Sequence, residues 1–270
     1  MFYLWLALFG CMTGISAVLF GFGGGFVVVP LLYRMLLSSH GADDAVVQSA
    51  MHIAVATSTC VMIVNALMAT GKHRRAGNLI RHYLWPLGGY IGLGAIAGAG
   101  LAMAVNGEVM RYAFIAYLAL TIADCLVRRG FLEQADTRTP RRLGRLETTG
   151  GLGIGVIATF LGVGGSVMTV PLLRRCGLSM TQATSMANPL SIPVALAGTL
   201  TYMALAGFSR FDLGPWFIGY VDLLAFAVLT LGSLLGIRLA SPWIGRIPDR
   251  LHARVYIGLL VLVMLGMLVR

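Results

Sequence analysis

Charge is what this sequence has least of. Only 11% of its 270 residues are Asp, Glu, Lys or Arg, against roughly 25% in soluble globular chains, which excludes a water-soluble domain. Acidic residues are the scarcer sign, ten against twenty basic ones, and Lys72 is the single lysine. Cys11, Cys60, Cys125 and Cys176 form no C-x-x-C pair. That excludes a disulfide framework or a zinc centre and leaves four small buried hydrophobes. H-E-x-x-H and a nucleophile–base pair are missing, so no enzyme, no metal and no cofactor are expected. "GFGGGF" at 21–26 is not G-x-G-x-x-G and stands in no βαβ setting, which excludes a dinucleotide site. Residues 1–20 lack the positive start of a secretory signal and resemble residues 150–161, deep inside the chain, so they belong to the fold.

What is abundant is apolar sequence: 58% of residues are hydrophobic and the mean hydropathy is +0.85. Runs near the length of roughly 20 residues that crosses the hydrocarbon core recur throughout. The reading is an all-α polytopic membrane protein in the lipid bilayer of a bacterial inner membrane. The net charge of +10 then reports orientation through short arginine loops and not nucleic-acid binding. "KHRR" at 72–75 reads as an orientation anchor touching anionic lipid, and Trp5, Trp85, Trp216 and Trp243 as an interfacial belt.

The chain repeats. "GFGGGFVVVP" at 21–30 returns as "GVGGSVMTVP" at 162–171; Gly14 matches Gly155, Ala17 matches Ala158, and Pro30-Leu31-Leu32 matches Pro171-Leu172-Leu173. "GAIAGAGLA" at 94–102 lines up with "GSLLGIRLA" at 232–240. One membrane domain over 1–270 is expected, with repeat 1 at 1–128, a basic cytoplasmic linker at 129–149 and repeat 2 at 150–270. Four full crossings per half would make the repeats parallel and split the basic residues twelve to eight. If instead the first segment of each half enters and returns, three crossings remain and the halves are inverted. The cytoplasmic side then holds Lys72, Arg74, Arg75, Arg81, six linker arginines, Arg174, Arg175, Arg238, Arg246, Arg250 and Arg254. Only Arg34, Arg111, Arg210 and Arg270 stay outside, the distribution that the positive-inside rule favours. The first segments read as re-entrant or as broken full spans.

Glycine tolerates positive φ and close backbone approach, "VVV" is poor helix material, and proline suits a helix's first turn. The pattern predicts a helix, a sharp turn, an extended stretch and a new helix starting near Pro30, and likewise near Pro171. Backbone opened at that depth must be buried in protein or line a wet cavity, and paired interruptions in two halves point to a transporter's midplane site. Gly94-x-x-x-Gly98 and Gly232-x-x-x-Gly236, by contrast, have the spacing of close helix packing.

The doubled G-x-G-G-[GS]-x-x-x-V-P-L-L element, four apolar segments per half and the basic linker resemble the sulfite exporter TauE/SafE family of membrane permeases, over essentially the whole chain. The resemblance implies export of a small sulfur-containing anion, sulfite or an organosulfonate such as sulfoacetate, driven by ion gradients. Ser166 stands where the first copy has Gly25, adding one hydroxyl donor.

An anion needs hydrogen-bond donors. The substrate-binding candidates are Gly23, Gly24, Gly25, Gly164, Gly165 and Ser166 of the breakers. To these are added Ser49, His52 and Thr57, with Ser58 beside them, and Ser185, Asn188 and Ser191 of the helices that follow. Ser49, His52, Thr57 and Ser58 have approximate counterparts in Ser185, Asn188 and Ser191. Ser49 and His52 are three apart, as are Ser185 and Asn188, so each pair shares a helix face; the alternative is polar glue between helices. Pro189 and Pro193 are expected to bend the second of these helices. Protons are the expected coupling ion, with His52 and Asp222 as candidates, because ionisable groups at depth are costly unless used. Asp222 alternatively bonds a neighbouring helix, and Asp124 is expected to pair with Arg128. Other readings of function are a permease for a different small anion, an importer, or a membrane scaffold for partner proteins; the oligomeric state is not legible.

Overall fold

The computed structural model describes residues 2–39, 44–127, 131–132, 141–205 and 215–268; Arg128, Arg210, Arg270 and most of the linker lie outside the described residues. Residues 2–127 form α1 (Phe2–Phe20), α2 (Gly25–Ser39), a short α3 (Ala45–Gln48), α4 (Ala50–Arg75), a short α5 (Arg81–Leu84), α6 (Leu87–Met103) and α7 (Gly107–Val127). After the linker come a short α8 (Arg145–Thr149), α9 (Gly151–Leu161), α10 (Ser166–Arg175), α11 (Met180–Leu205), α12 (Leu223–Ala240) and α13 (Asp249–Leu268). A two-residue ribbon, Phe217–Ile218 against Val221–Asp222, precedes α12. Among the described residues, five helices are long and apolar enough to cross a membrane. The chain is an all-α polytopic membrane protein.

Both interruptions fall at their expected glycines, but the new helices begin earlier than the sequence suggests. α2 starts at Gly25 and α10 at Ser166, with Val27, Val28 and Val29 already helical and Pro30 and Pro171 inside their helices. The intrinsic handicap of valine is a fraction of a kcal/mol. Leaving several backbone groups open inside a membrane costs several kcal/mol each, so the helix wins. α11 likewise runs unbroken through Pro189 and Pro193.

Packing of the long helices is set by glycine. Along α1, Gly10 and Gly14 stand against the backbone of Leu229 and Ser233 on α12, while Gly232 and Gly236 stand against the carbonyls of Ala7 and Cys11. A Cβ at Gly14 or Gly236 would lie 2.0 Å from the facing oxygen, so any other residue forces the helices apart. α9 and α6 make the same contact: Gly151 and Gly155 meet Leu87 and Ile91, and Gly94 and Gly98 meet Leu152 and Val156. Each pair joins the first helix of one half to a later helix of the other. The packing role expected for the two G-x-x-x-G motifs is observed, with one change of register. Gly94 faces Leu152 as Gly236, not Gly232, faces Cys11, so the sequence match is displaced by one helical turn.

Contacts also fix the direction of each helix. The last turn of α1 lies beside the end of α4, where the His73 ring reaches the Val18 carbonyl. The start of α2 lies beside the middle of α4, where Gly24 faces Asn65. α1 and α2 therefore form a hairpin closed by Gly21–Gly24. α6 runs opposite to α4, since His52 near the start of α4 meets the Ala102 carbonyl at the end of α6. The end of α10 is tied to the end of α7 by Arg175–Asp124 and to the start of α13 by Arg174–Asp249. The start of α7 is tied to the end of α13, where Arg111 Nε donates to the Met267 carbonyl at 3.2 Å. One end of the bundle thus collects the α4–α5 loop, Arg174, Arg175 and the α12–α13 turn; Arg34 and Arg111 lie at the other.

Asp124 pairs with Arg175, a guanidinium that the end of α10 brings across from another helix; the expected partner Arg128 lies outside the described residues. Leu93, Leu120, Leu231, Leu235 and Leu262 are exposed on the outer faces of α6, α7, α12 and α13, the surface that lipid covers. All four tryptophans are exposed, Trp5 and Trp216 toward one end and Trp85 and Trp243 toward the other. The cysteines are free, Cys125 and Cys176 buried and Cys11 and Cys60 partly so.

Candidate functional site

Left-handed glycines build each interruption. Gly21, Gly23 and Gly24 have φ of 73°, 63° and 95°, and Gly162 and Gly164 have 66° and 70°, values that residues with a Cβ rarely adopt. Phe22 anchors the first turn, stacking on Phe26 at 4.5 Å and on Tyr256 at 4.8 Å between ring centroids. Val163, in the same place in the second turn, is fully buried.

The two turns meet at mid-depth, between α4 and α11. A Cβ on Gly25 would lie 2.5 Å from the Gly162 carbonyl oxygen. Gly23 and Gly164 both face Met62 of α4 and Ser191 of α11, and Gly24 faces the Asn65 amide. Ser58 donates to the Gly162 carbonyl at 3.1 Å. Asn65 Oδ1 accepts from Ser233 at 2.6 Å, whereas Asn65 Nδ2, Ser166 Oγ and Asn188 Oδ1 are buried without a hydrogen-bond partner. Met62, fully buried, fills the space between the turns.

Of the residues singled out from sequence, the structure brings Gly23, Gly24, Gly25, Gly164, Gly165, Ser166 and Ser191 to this point. Asn188 sits one turn from Ser191, its amide donating to the Thr184 carbonyl at 3.4 Å. The others lie elsewhere. Ser49 is at the α3–α4 junction. His52 Nε2 lies 3.2 Å from the Ala102 and Val105 carbonyls, its ring 5.6 Å from Tyr220. Thr57 accepts from the Asp222 N–H at 3.0 Å. Asp222 itself caps α12, accepting from the Leu224 and Ala225 N–H groups, so it stands at a helix end and not deep in a span. Ser185 is at the opposite end, donating to the Asn78 carbonyl at 3.0 Å.

The misplacement has one cause. Gly162 packs on Val55 and Ser58 as Gly21 packs on Thr184 and Ala187, which puts Met62 opposite Ser191. The sequence match of Ser49 and His52 to Ser185 and Asn188 is therefore displaced by two turns. Sequence reasoning overlooked Met62 and Asn65, although Ser58, Met62 and Asn65 follow an i, i+4, i+7 stripe that marks one helix face. It also placed His73 in a surface anchor; Arg74 and Arg75 are exposed, but His73 turns inward and is 1% exposed. A separate cavity of ≈ 450 Å³, lined by Tyr117, Asp124, Ile154, Met168 and Arg175 among others, opens between α7, α9 and α10, apart from the meeting of the turns.

Two apposed hairpins with glycine turns, framed by α4 and α11 and bare of fixed charge, sit at the centre of a multi-pass membrane protein. The chain belongs to the sulfite exporter TauE/SafE family, whose model matches residues 6–267. It is similar to a probable membrane transporter protein of Haemophilus influenzae, 23% identical over 269 residues, covering 100% of this chain and 99% of the relative. A probable membrane transporter protein of Methanocaldococcus jannaschii is 23% identical over 207 residues, covering 73% of this chain and 71% of the relative. No solved structure matches the chain.

Proposed function

We propose that this protein is a secondary permease that exports a small sulfur-containing anion, sulfite or an organosulfonate such as sulfoacetate, across the bacterial inner membrane by alternating access. The observation that carries the reading is the apposition of the α2 and α10 N-termini beside Asn65 Nδ2 and Ser166 Oγ, donors that have no partner. First-turn N–H groups lack intrahelical acceptors and carry partial positive charge, a setting suited to an anion. Ser191, which faces both turns, donates its hydroxyl to the Ala187 carbonyl at 2.9 Å and so offers the site its oxygen.

The two halves act as inverted repeats. Supporting this, α1 runs beside α12 and α9 beside α6 through equivalent glycine contacts, and the described basic residues concentrate at one end, the cytoplasmic end by the positive-inside rule. Met62 closes the site between the turns, and rocking of one hairpin against the other opens it to either side.

Transport in proteoliposomes tests the reading, with sulfite, sulfoacetate, sulfate and chloride compared. Selective movement of a sulfur anion, lost in Gly24→Val and Gly164→Val, supports the permease. Movement of none of the four anions, with a partner protein copurifying, would overturn it in favour of a scaffold.

A further inference from the structure

α1 ends in an unusual way. The carbonyls of Ser16 and Ala17 accept the N–H groups of Phe22 and Gly21, which leaves Val18 and Leu19 to side chains. His73 of α4 lies with Nε2 2.8 Å from the Val18 oxygen, and His252 of α13 with Nε2 2.8 Å from the Leu19 oxygen. A carbonyl only accepts, so Nε2 carries the hydrogen in both rings and, in the neutral form, Nδ1 presents a bare lone pair. Both Nδ1 atoms are buried without a partner, on residues 1% and 3% exposed. The two rings line one cavity of ≈ 10 Å³ with Thr181 and Thr184, space for a single water. Phe20 packs edge-on against His252 at 5.1 Å, and the glycine turn begins at the next residue.

Two rings that line one small cavity, each with a vacant acceptor and both at the negative end of a helix dipole, form a receptor for a proton. A second proton would place two cations in the same cavity, which like-charge repulsion opposes. Facing the pair, Asp249 and Arg174 are bound to each other. α1 and α11 carry no charged residue. The remaining described charges at this end, Lys72, Arg74, Arg75, Arg81, Asp124, Arg141, Arg142, Arg145, Glu147, Arg175, Arg238, Arg246, Arg250 and Arg254, lie at least partly in solvent.

We propose that His73 and His252 together form a one-proton site that couples proton binding to movement of the α1–α2 hairpin. A bound proton makes the Nε2–H bond of the ring that holds it charge-assisted and tightens the cap on α1; its loss loosens the cap two or three residues before Gly21. One histidine comes from each half of the chain, so any rocking of the halves changes the geometry of the pair. The coupling role rests on the permease reading; the proton site does not.

Two readouts keep these apart. In the full chain in lipid nanodiscs, with ¹⁵N-labelled histidine, the two rings are expected to take up one proton between them as pH is lowered through the acidic range. His73→Gln is expected to shift the His252 midpoint upward, and His252→Gln that of His73. Rings that both stay neutral, or that titrate indifferently to each other, overturn the site. In proteoliposomes the probe is sulfoacetate, which stays ionised through the neutral range. The double His73→Gln, His252→Gln variant keeps a donor for each carbonyl but takes no proton. It is expected to move sulfoacetate with a flat pH profile and roughly tenfold less proton movement per anion than wild type. Wild-type proton movement in the double variant overturns the coupling. If wild type moves no anion, the permease reading fails and the titration alone decides the proton site.

Discussion

Gly25 of the first turn stands against the carbonyl of Gly162 in the second, so close that a Cβ would lie 2.5 Å from the oxygen. Gly25 carries no positive φ among the glycines that do, so the constraint is contact between the two turns and not local strain. Ser166, at the matching place in the second element, has its side chain buried without such a clash. Gly25→Ser, which copies the second element into the first, is expected to destabilise by about 1–3 kcal/mol through overpacking. Ser166→Gly is expected to leave stability nearly unchanged. Thermal unfolding in detergent, compared between the two, reads the difference.

Gly24 and Gly165 match in sequence but not in tolerance. Gly24 has φ of 95° and a Cβ there would sit 2.3 Å from Asn65 Nδ2. Gly165 is right-handed, at φ −69°, with its nearest neighbour at 3.5 Å. Gly24→Ala is expected to cost about 1–3 kcal/mol from the backbone alone and to abolish transport. Gly165→Ala is expected to stay within about 0.5 kcal/mol of wild type and to transport.

Asn65 holds Ser233 through Oδ1 and turns Nδ2 toward the first glycine turn. Asn65→Asp keeps the acceptor for Ser233 and replaces the donor by an oxygen that repels an anion. Binding of the sulfur anion is expected to weaken at least tenfold, about 1.4 kcal/mol, and the carboxylate placed at this fully buried position is expected to lower the unfolding temperature as well. Isothermal titration beside thermal unfolding separates the two effects. A drop in stability with unchanged binding would remove Asn65 from the site.

Arg174, its side chain 1% exposed, is paired with Asp249 and donates to the Phe131 and Leu178 carbonyls. Asp249 also accepts from the Met180 N–H at 2.7 Å. Asp249→Ala removes the carboxylate that faces this buried guanidinium and that accepts from Met180, at an expected cost of about 3–5 kcal/mol. Asp124→Ala, whose pair with Arg175 is partly exposed, is expected to cost about 1 kcal/mol or less. Denaturant-dependent unfolding of the two variants checks the contrast.

Much of this protein was legible before any coordinates. Scarce charge and long apolar runs determine an all-α membrane chain, because only helices satisfy their own backbone in lipid without closing a barrel. Glycine clusters mark the two interruptions, because left-handed φ needs them at Gly21, Gly23, Gly24, Gly162 and Gly164. Depth along each helix was not legible. A shift of four or seven residues returns a helix to nearly the same face. Matching Gly94 to Gly232, or His52 to Asn188, therefore identified the right face and missed the level by one turn or two. Contacts decide the level: Gly236 against the Cys11 carbonyl, and Met62 against Gly23 and Gly164. The helix starts at Gly25 and Ser166 follow the same logic, since the membrane's demand for paired backbone outweighs the local preferences of valine and proline. Nor could the sequence join His73 to His252. No local pattern links residues that far apart, and only the end of α1, ordered by its own hydrogen bonds, brings both rings to neighbouring carbonyls.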